Sequence, residues 1–276
     1  MTRRLALCAD DFGSAPGMSE AIVDLAGEGR LSAIACLANG AHWNATAPLL
    51  RRIETGVDIG LHFNLTEGPP LSAEMRTIWP RLPSLARLIA LAHVGRLPRE
   101  ALRAELDAQV AAFVDAVGAA PAFIDGHQHV HHLPGVRPIL LDAIERLAPR
   151  PAVRNTGHLI GPGFGFKRMV IERTGGRRLL AELVGRGIAH NAALSGVYDF
   201  KKPDYRKLVQ HWLTRIPDAG ALLFCHPGAA SEATASDPIA GARLREATYF
   251  RSAAFTEDLR AADVVLGRVW TIAPPV

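Results

Sequence analysis

Cysteine is scarce: Cys8, Cys36 and Cys225 are the only three in 276 residues. Odd in number and without a CxxC spacing, they indicate neither a disulfide framework nor a zinc ribbon. No apolar run reaches the roughly 18 residues that a membrane span needs, so no span is predicted. Nor is charge of one sign gathered into a block. The net charge of +4 comes from scattered arginines. No Lys/Arg run with interleaved aromatics appears, so nucleic acid is not an expected partner. The opening "MTRRLALCADDFG" starts like a signal peptide, but its apolar run of about five residues falls short of the roughly 7–15 of a signal core. A cytoplasmic protein is the expectation.

What is present is an ordinary globular composition, 49% hydrophobic and 21% charged, which excludes a disordered chain. A length of 276 residues suits one domain spanning 1–276, as α/β barrels of this size fold as single units. Short apolar runs alternate with helical patterns. Strands are predicted at 4–10, 32–38, 57–63, 122–128, 151–155, 193–198, 221–226 and 267–272. A helix is predicted over 101–117, where Leu102, Leu106, Val110, Phe113 and Val117 recur at helical spacing and Gly118 supplies a stop. Another starts near Pro16. Strands alternating with helices imply parallel pairing and a closed or nearly closed (β/α) barrel, with an open doubly wound sheet as the alternative. Segments 67–98 and 156–166 are predicted as loops over the barrel mouth. The second is glycine-rich but places Phe166, not glycine, before Lys167, and so is no phosphate loop.

The chemistry collects in "FIDGHQHVHHLP" (123–134), which holds four of the eleven histidines. If this stretch is extended, Asp125, His127, His129 and His131 share one face, and any of the three histidines could ligate a metal. Three other predicted strands also end in polar groups: Asp10 and Asp11 in "CADDFG", His62 and Asn64 in "GLHFNLT", and His226 in "LLFCHPG". The C-terminal ends of barrel strands are where active sites form. Each group has a plain structural reading as well. Asp11 could cap a helix, His62 could be a hydrogen-bonded core residue, His226 a turn residue, and the histidine row a solvated loop. Their coincidence at four strand ends favours a metal site. Sequential aspartates suit a division of labour, one ligating and the other acting as base in metal-assisted hydrolysis.

The motifs "ADDFG" (9–13), "GLHFNLT" (60–66), "IDGHQHVH" (124–131) and "HPG" (226–228) resemble those of the YdjC-like carbohydrate deacetylase family. That family includes chitooligosaccharide deacetylases and hopanoid-associated sugar deacetylases. The resemblance implies an irregular TIM-like barrel and one divalent metal cation, zinc or magnesium. It also implies hydrolysis of an acetamido group on an N-acetylated sugar or glycoconjugate. Asp11, His62 and His127 match the family's metal ligands, Asp10 its catalytic base and His226 its candidate acid, acting as an imidazolium. His129 and Arg154 are then expected to face substrate, Arg154 also pairing with Asp10. Phe63 and Trp79, with Phe12, are expected to wall the acetyl pocket and stack on sugar rings, with a core position as the alternative for Phe12 and Phe63. Rival readings are another barrel hydrolase, an amidohydrolase or phosphoesterase, and a non-catalytic sugar- or metal-binding barrel. A homodimer is compatible with all of them.

Overall fold

The computed structural model describes residues 2–53, 56–201, 203–229 and 237–272. Its centre is strand β1 (Arg3–Phe12), apolar on both faces from Leu5 to Ala9 and buried along that length. A strand buried on both faces has no polar/apolar alternation, because helices cover the sheet from outside while the interior is filled. Around β1 run β2 (Ala33–Cys36), β3 (Asp58–Phe63), β4 (Phe123–Gly126), β5 (Ala152–Val153), β6 (Leu194–Ser195), β7 (Ala221–Cys225) and β8 (Val264–Leu266). All named pairs are parallel, in the order β5-β4-β3-β2-β1-β7-β6, with β8 on the N-terminal part of β1.

The two edges, β5 and β6, do not pair directly, yet the ring is nearly completed. Just ahead of β6, the Ala189 carbonyl accepts from the Val153 N–H at 2.9 Å, and His190 bridges Val153 in parallel. One irregular segment therefore touches both edges, and the sheet curls into an irregular (β/α) barrel. No described helix is long and apolar enough to cross a membrane.

The last predicted strand, 267–272, is displaced. Pairing with β1 ends after Leu266, where the Gly267 N–H donates to Leu5 O. The chain then turns so that Arg268 and Trp270 both donate to Asp58, and among the described residues it keeps an antiparallel bridge between Thr271 and His190. The 67–98 segment is likewise more regular than expected, carrying helices Ala73–Ile78 and Leu85–His93. Each begins at a serine whose hydroxyl accepts from the backbone N–H three residues on, Ser72 from Met75 and Ser84 from Arg87. The predicted 101–117 helix runs Arg99–Val117 and stops at Gly118, whose φ of +80° is the left-handed turn that glycine permits.

Candidate active site

Parallel strands deliver all their C-terminal ends to one mouth, where a cavity of about 790 Å³ opens. Asp10, Asp11, His62, His127, His129 and His226 line it. β1 brings both of its aspartates there through an irregularity. Its register against β2 shifts between Ala9 and Phe12, and Asp11 sits at φ 70°, a left-handed conformation uncommon outside glycine. In a regular strand, neighbours point to opposite faces. This twist turns both carboxylates toward the cavity.

His62 on β3 faces Asp125 on β4 in register, and its Nδ1 lies 2.6 Å from Asp125 Oδ1. That contact fixes the ring and leaves Nε2 directed toward Asp11 Oδ1, 3.7 Å away. His127 Nδ1 is 3.1 Å from the same Asp11 oxygen, and its Nε2 is 3.0 Å from Glu67 Oε1. The second oxygen of Asp11 is taken by Arg243, whose Nη2 donates at 2.9 Å. Burial would push the His127 imidazole down, but the carboxylates of Asp11 and Glu67 outweigh it and carry it to about 10. Burial would likewise raise Asp11, yet His127 and Arg243 hold its carboxyl well below the usual range.

Potential ligand atoms of Asp11, His62 and His127 all lie within 4.8 Å of one another, and all three residues are buried. The set fits a divalent cation. Asp11 Oδ1 faces both imidazole nitrogens, at 3.1 and 3.7 Å, without a well-aligned hydrogen bond from either. An oxygen on which two imidazole nitrogens converge is placed for a common cationic partner. A tetrahedral shell with bonds of 2.0–2.1 Å separates neighbouring ligand atoms by roughly 3.3 Å, close to the two spacings found.

A second cluster, Cys8, Asp10 and Asp125, is equally compact, but a guanidinium already fills it. Arg154 is fully buried. Its Nη1 and Nη2 donate to the two oxygens of Asp10 at 2.7 and 2.6 Å, and Nη2 also stands 2.5 Å from Asp125 and 3.2 Å from Cys8 Sγ. Burial pushes the Cys8 thiol well up, so it remains a thiol and not a thiolate ligand. Arg154 was expected to pair with Asp10 and does. It does not reach the cavity, because Asp10 and Asp125 enclose it, and its place is behind the site and not against substrate.

The histidine row departs from the extended geometry. After β4 the chain forms a tight 3₁₀ turn over His127–His132, with Gln128 and His129 at φ 53° and 62°. Gly126 allows this turn, since a Cβ there would lie 2.7 Å from the His131 nitrogen. The imidazoles consequently fan out. His131 Nε2 meets the Arg154 carbonyl at 2.9 Å, and His132 bridges the hydroxyls of Thr156 and Thr174. His129 lines the cavity with its ring edge-on to Phe224 at 5.3 Å. Burial drives His129 well below, and His131 to about 4. Only His127 joins the Asp11–His62 pair.

Phe63, Trp79 and Phe12, expected to wall the cavity, are packed into the core instead. Phe63 has 1% of its surface exposed and Phe12 none. The aromatic walls are Phe200 and Phe224, which meet the His226 ring edge-on at 5.3 and 5.7 Å. His226 lines the cavity, but burial pushes it down to about 4 against the pull of Asp11 and Asp10. The backbone N–H of His226 donates to the fully buried Glu246 at 2.5 Å. Glu67, Arg243 and Glu246 were not anticipated. "GLHFNLTE" places Glu67 five residues after His62, a signal available in hindsight, whereas nothing local marks the other two.

The YdjC-like protein family matches residues 4–261. A Homo sapiens protein named carbohydrate deacetylase is 36% identical over 154 residues, 53% of this chain and 47% of its own. An Enterobacter protein named chitooligosaccharide deacetylase is 34% identical over 147 residues, 51% of this chain and 55% of its own. The chain thus spans about half the length of the curated relatives it matches. In overall fold it resembles a structure from Enterococcus faecalis V583 to which cellobiose-phosphate cleavage has been ascribed. That likeness has a TM-score of 0.76 at 17% identity and covers 98% of both chains.

Proposed function

This chain belongs to the YdjC-like family, and from that premise we propose that it is a metal-dependent hydrolase. Its reaction would remove the N-acetyl group from an aminosugar or aminosugar glycoconjugate, releasing acetate and a free amine. The observation that carries this reading is the convergence of Asp11, His62 and His127, with Asp10 and His226 lining the same cavity. Two imidazoles and one carboxylate favour zinc or another late transition metal over magnesium, which prefers oxygen donors. When bound, the cation supplies Lewis acidity, which lowers the pKa of a water and polarises the acyl oxygen.

The chain's own residues divide the remaining work. Asp10 accepts the proton of the attacking water at a carboxylate oxygen, while Arg154 holds that carboxylate in place from behind. His226 supports proton delivery to the departing amine nitrogen. The water proton taken by Asp10 balances the one that the departing nitrogen gains. Apolar side chains, among them Leu85, Ile89, Val170, Ile171 and Ile239, cover much of the cavity wall. They favour a glycoconjugate whose sugar carries an apolar portion and help exclude water from the reacting centre.

Acetate release tests the proposal. Chelated and metal-reloaded protein would be assayed against N-acetylated monosaccharides, chitooligosaccharides and lipid-linked aminosugars. Release confined to reloaded protein, on at least one of these, is expected. Equal release by the chelated protein, or none from any substrate, would contradict it.

A further inference from the structure

We propose that Glu246 is a positioning residue, holding His226 in its working orientation through the main chain. This rests on the deacetylase reading only for the role given to His226. The observations concern "HPG" and the helix Ala240–Arg251. His226 follows β7 and sits between Phe200 and Phe224, and its Nδ1 has no hydrogen-bond partner among the described residues. Ring edges limit how the imidazole tilts, but no bond to Nδ1 fixes it, so the backbone must.

That backbone is held by one helix. Pro227 has no N–H to offer. The His226 N–H donates to Glu246 Oε2 at 2.5 Å, and the Gly228 N–H to the Arg243 carbonyl at 3.3 Å. Every main-chain donor of "HPG" therefore ends on Ala240–Arg251. Arg243 and Glu246, three apart, lie on one helix face, and the Arg243 side chain simultaneously grips Asp11. A single rigid element thus fixes the candidate acid relative to a candidate metal ligand. Glu246 is itself fixed, since the Tyr198 hydroxyl donates to its other oxygen. A buried carboxyl group with both oxygens engaged, outside the lining of the cavity, fits positioning.

Glu246→Ala, Glu246→Asp and Glu246→Gln would be compared with wild type in the zinc-loaded protein. Glutamine keeps an acceptor for the His226 N–H and turns its amide NH2 toward the Tyr198 hydroxyl, which then accepts where it had donated; aspartate withdraws the acceptor by one methylene. Misplaced catalytic groups commonly cost about 10²-fold. Glu246→Ala is expected to lower kcat by about that factor with KM within about twofold, and Glu246→Gln to restore most of it. Side-chain ¹⁵N spectra of the histidines give a readout independent of any substrate. The His226 signals should move in Glu246→Ala and Glu246→Asp and return in Glu246→Gln, while those of His62 and His127 stay. If Glu246→Ala does not fold, Glu246→Asp carries the same test. His226 signals unmoved in the folded variants overturn the proposal, even if wild type releases no acetate.

Discussion

Asp10→Asn is expected to keep its metal and lose its chemistry. Asparagine has the shape of aspartate but cannot accept a proton from water at neutral pH. A positioned general base contributes about 10²–10⁴-fold, so acetate release should fall by a factor in that range. The candidate ligands Asp11, His62 and His127 are untouched, and metal content measured on the same sample should match wild type. One structural cost accompanies the change. Of the two Asp10 oxygens that accept from Arg154, asparagine preserves one and turns an amide toward the guanidinium in place of the other. Arg154 retains Asp125, so the protein should fold with a lowered Tm. A non-catalytic binding barrel would lose no activity, because it has none, and an unchanged rate with metal in place would remove Asp10 from the mechanism.

The largest stability effect is expected at Arg154. Its guanidinium is buried between Asp10 and Asp125, with 2% and 0% of their surfaces exposed. Methionine keeps most of the side-chain volume and removes the charge. Breaking a buried ion pair by deleting one partner typically costs about 3–5 kcal/mol, because the remaining charge is left in a poorly polarisable interior. Urea unfolding of Arg154→Met should show a loss of that order at neutral pH. The deficit has a predictable pH dependence. In wild type, burial raises the Asp125 carboxyl but Arg154 and His62 outweigh it, leaving it below the usual range. A depressed carboxylate contributes stability that is present above its unfolded pKa and lost as pH falls through the folded one. Without Arg154 the burial effect dominates, the carboxyl is raised, and the sign reverses. The gap between variant and wild type should therefore narrow on acidification. A gap independent of pH would mean that lost packing, not unpaired charge, is responsible.

The strand ends were legible in the sequence because they obey a simple rule, an apolar run followed by a polar group and a turn. Asp10, Asp11, His62, His127 and His226 all reach the cavity in this way. The direction of the remaining histidines was not legible. Alternation holds only while the backbone is extended, and left-handed dihedrals at Gln128 and His129 break it after one residue. Such a turn depends on Gly126 meeting His131 in space, which no two-residue periodicity encodes. Aromatic walls failed for a related reason. Phe63 is next to His62 in sequence, and on a strand that adjacency places the two rings on opposite faces. Arg243 and Glu246 lie far along the chain from the groups they hold, on a helix whose apolar pattern gives no hint of it.

Metal stoichiometry tests the central claim most directly. Purified protein, reloaded with zinc and freed of excess, should retain one equivalent by elemental analysis. Asp11→Ala, His62→Ala and His127→Ala, each checked for folding, should retain well under that. Asp11, His62 and His127 bring ligand atoms within 4.8 Å of one another, so removing any one opens the same shell. Full occupancy in a folded Asp11→Ala protein would contradict the account, since the oxygen on which both imidazoles converge would not be holding the ion.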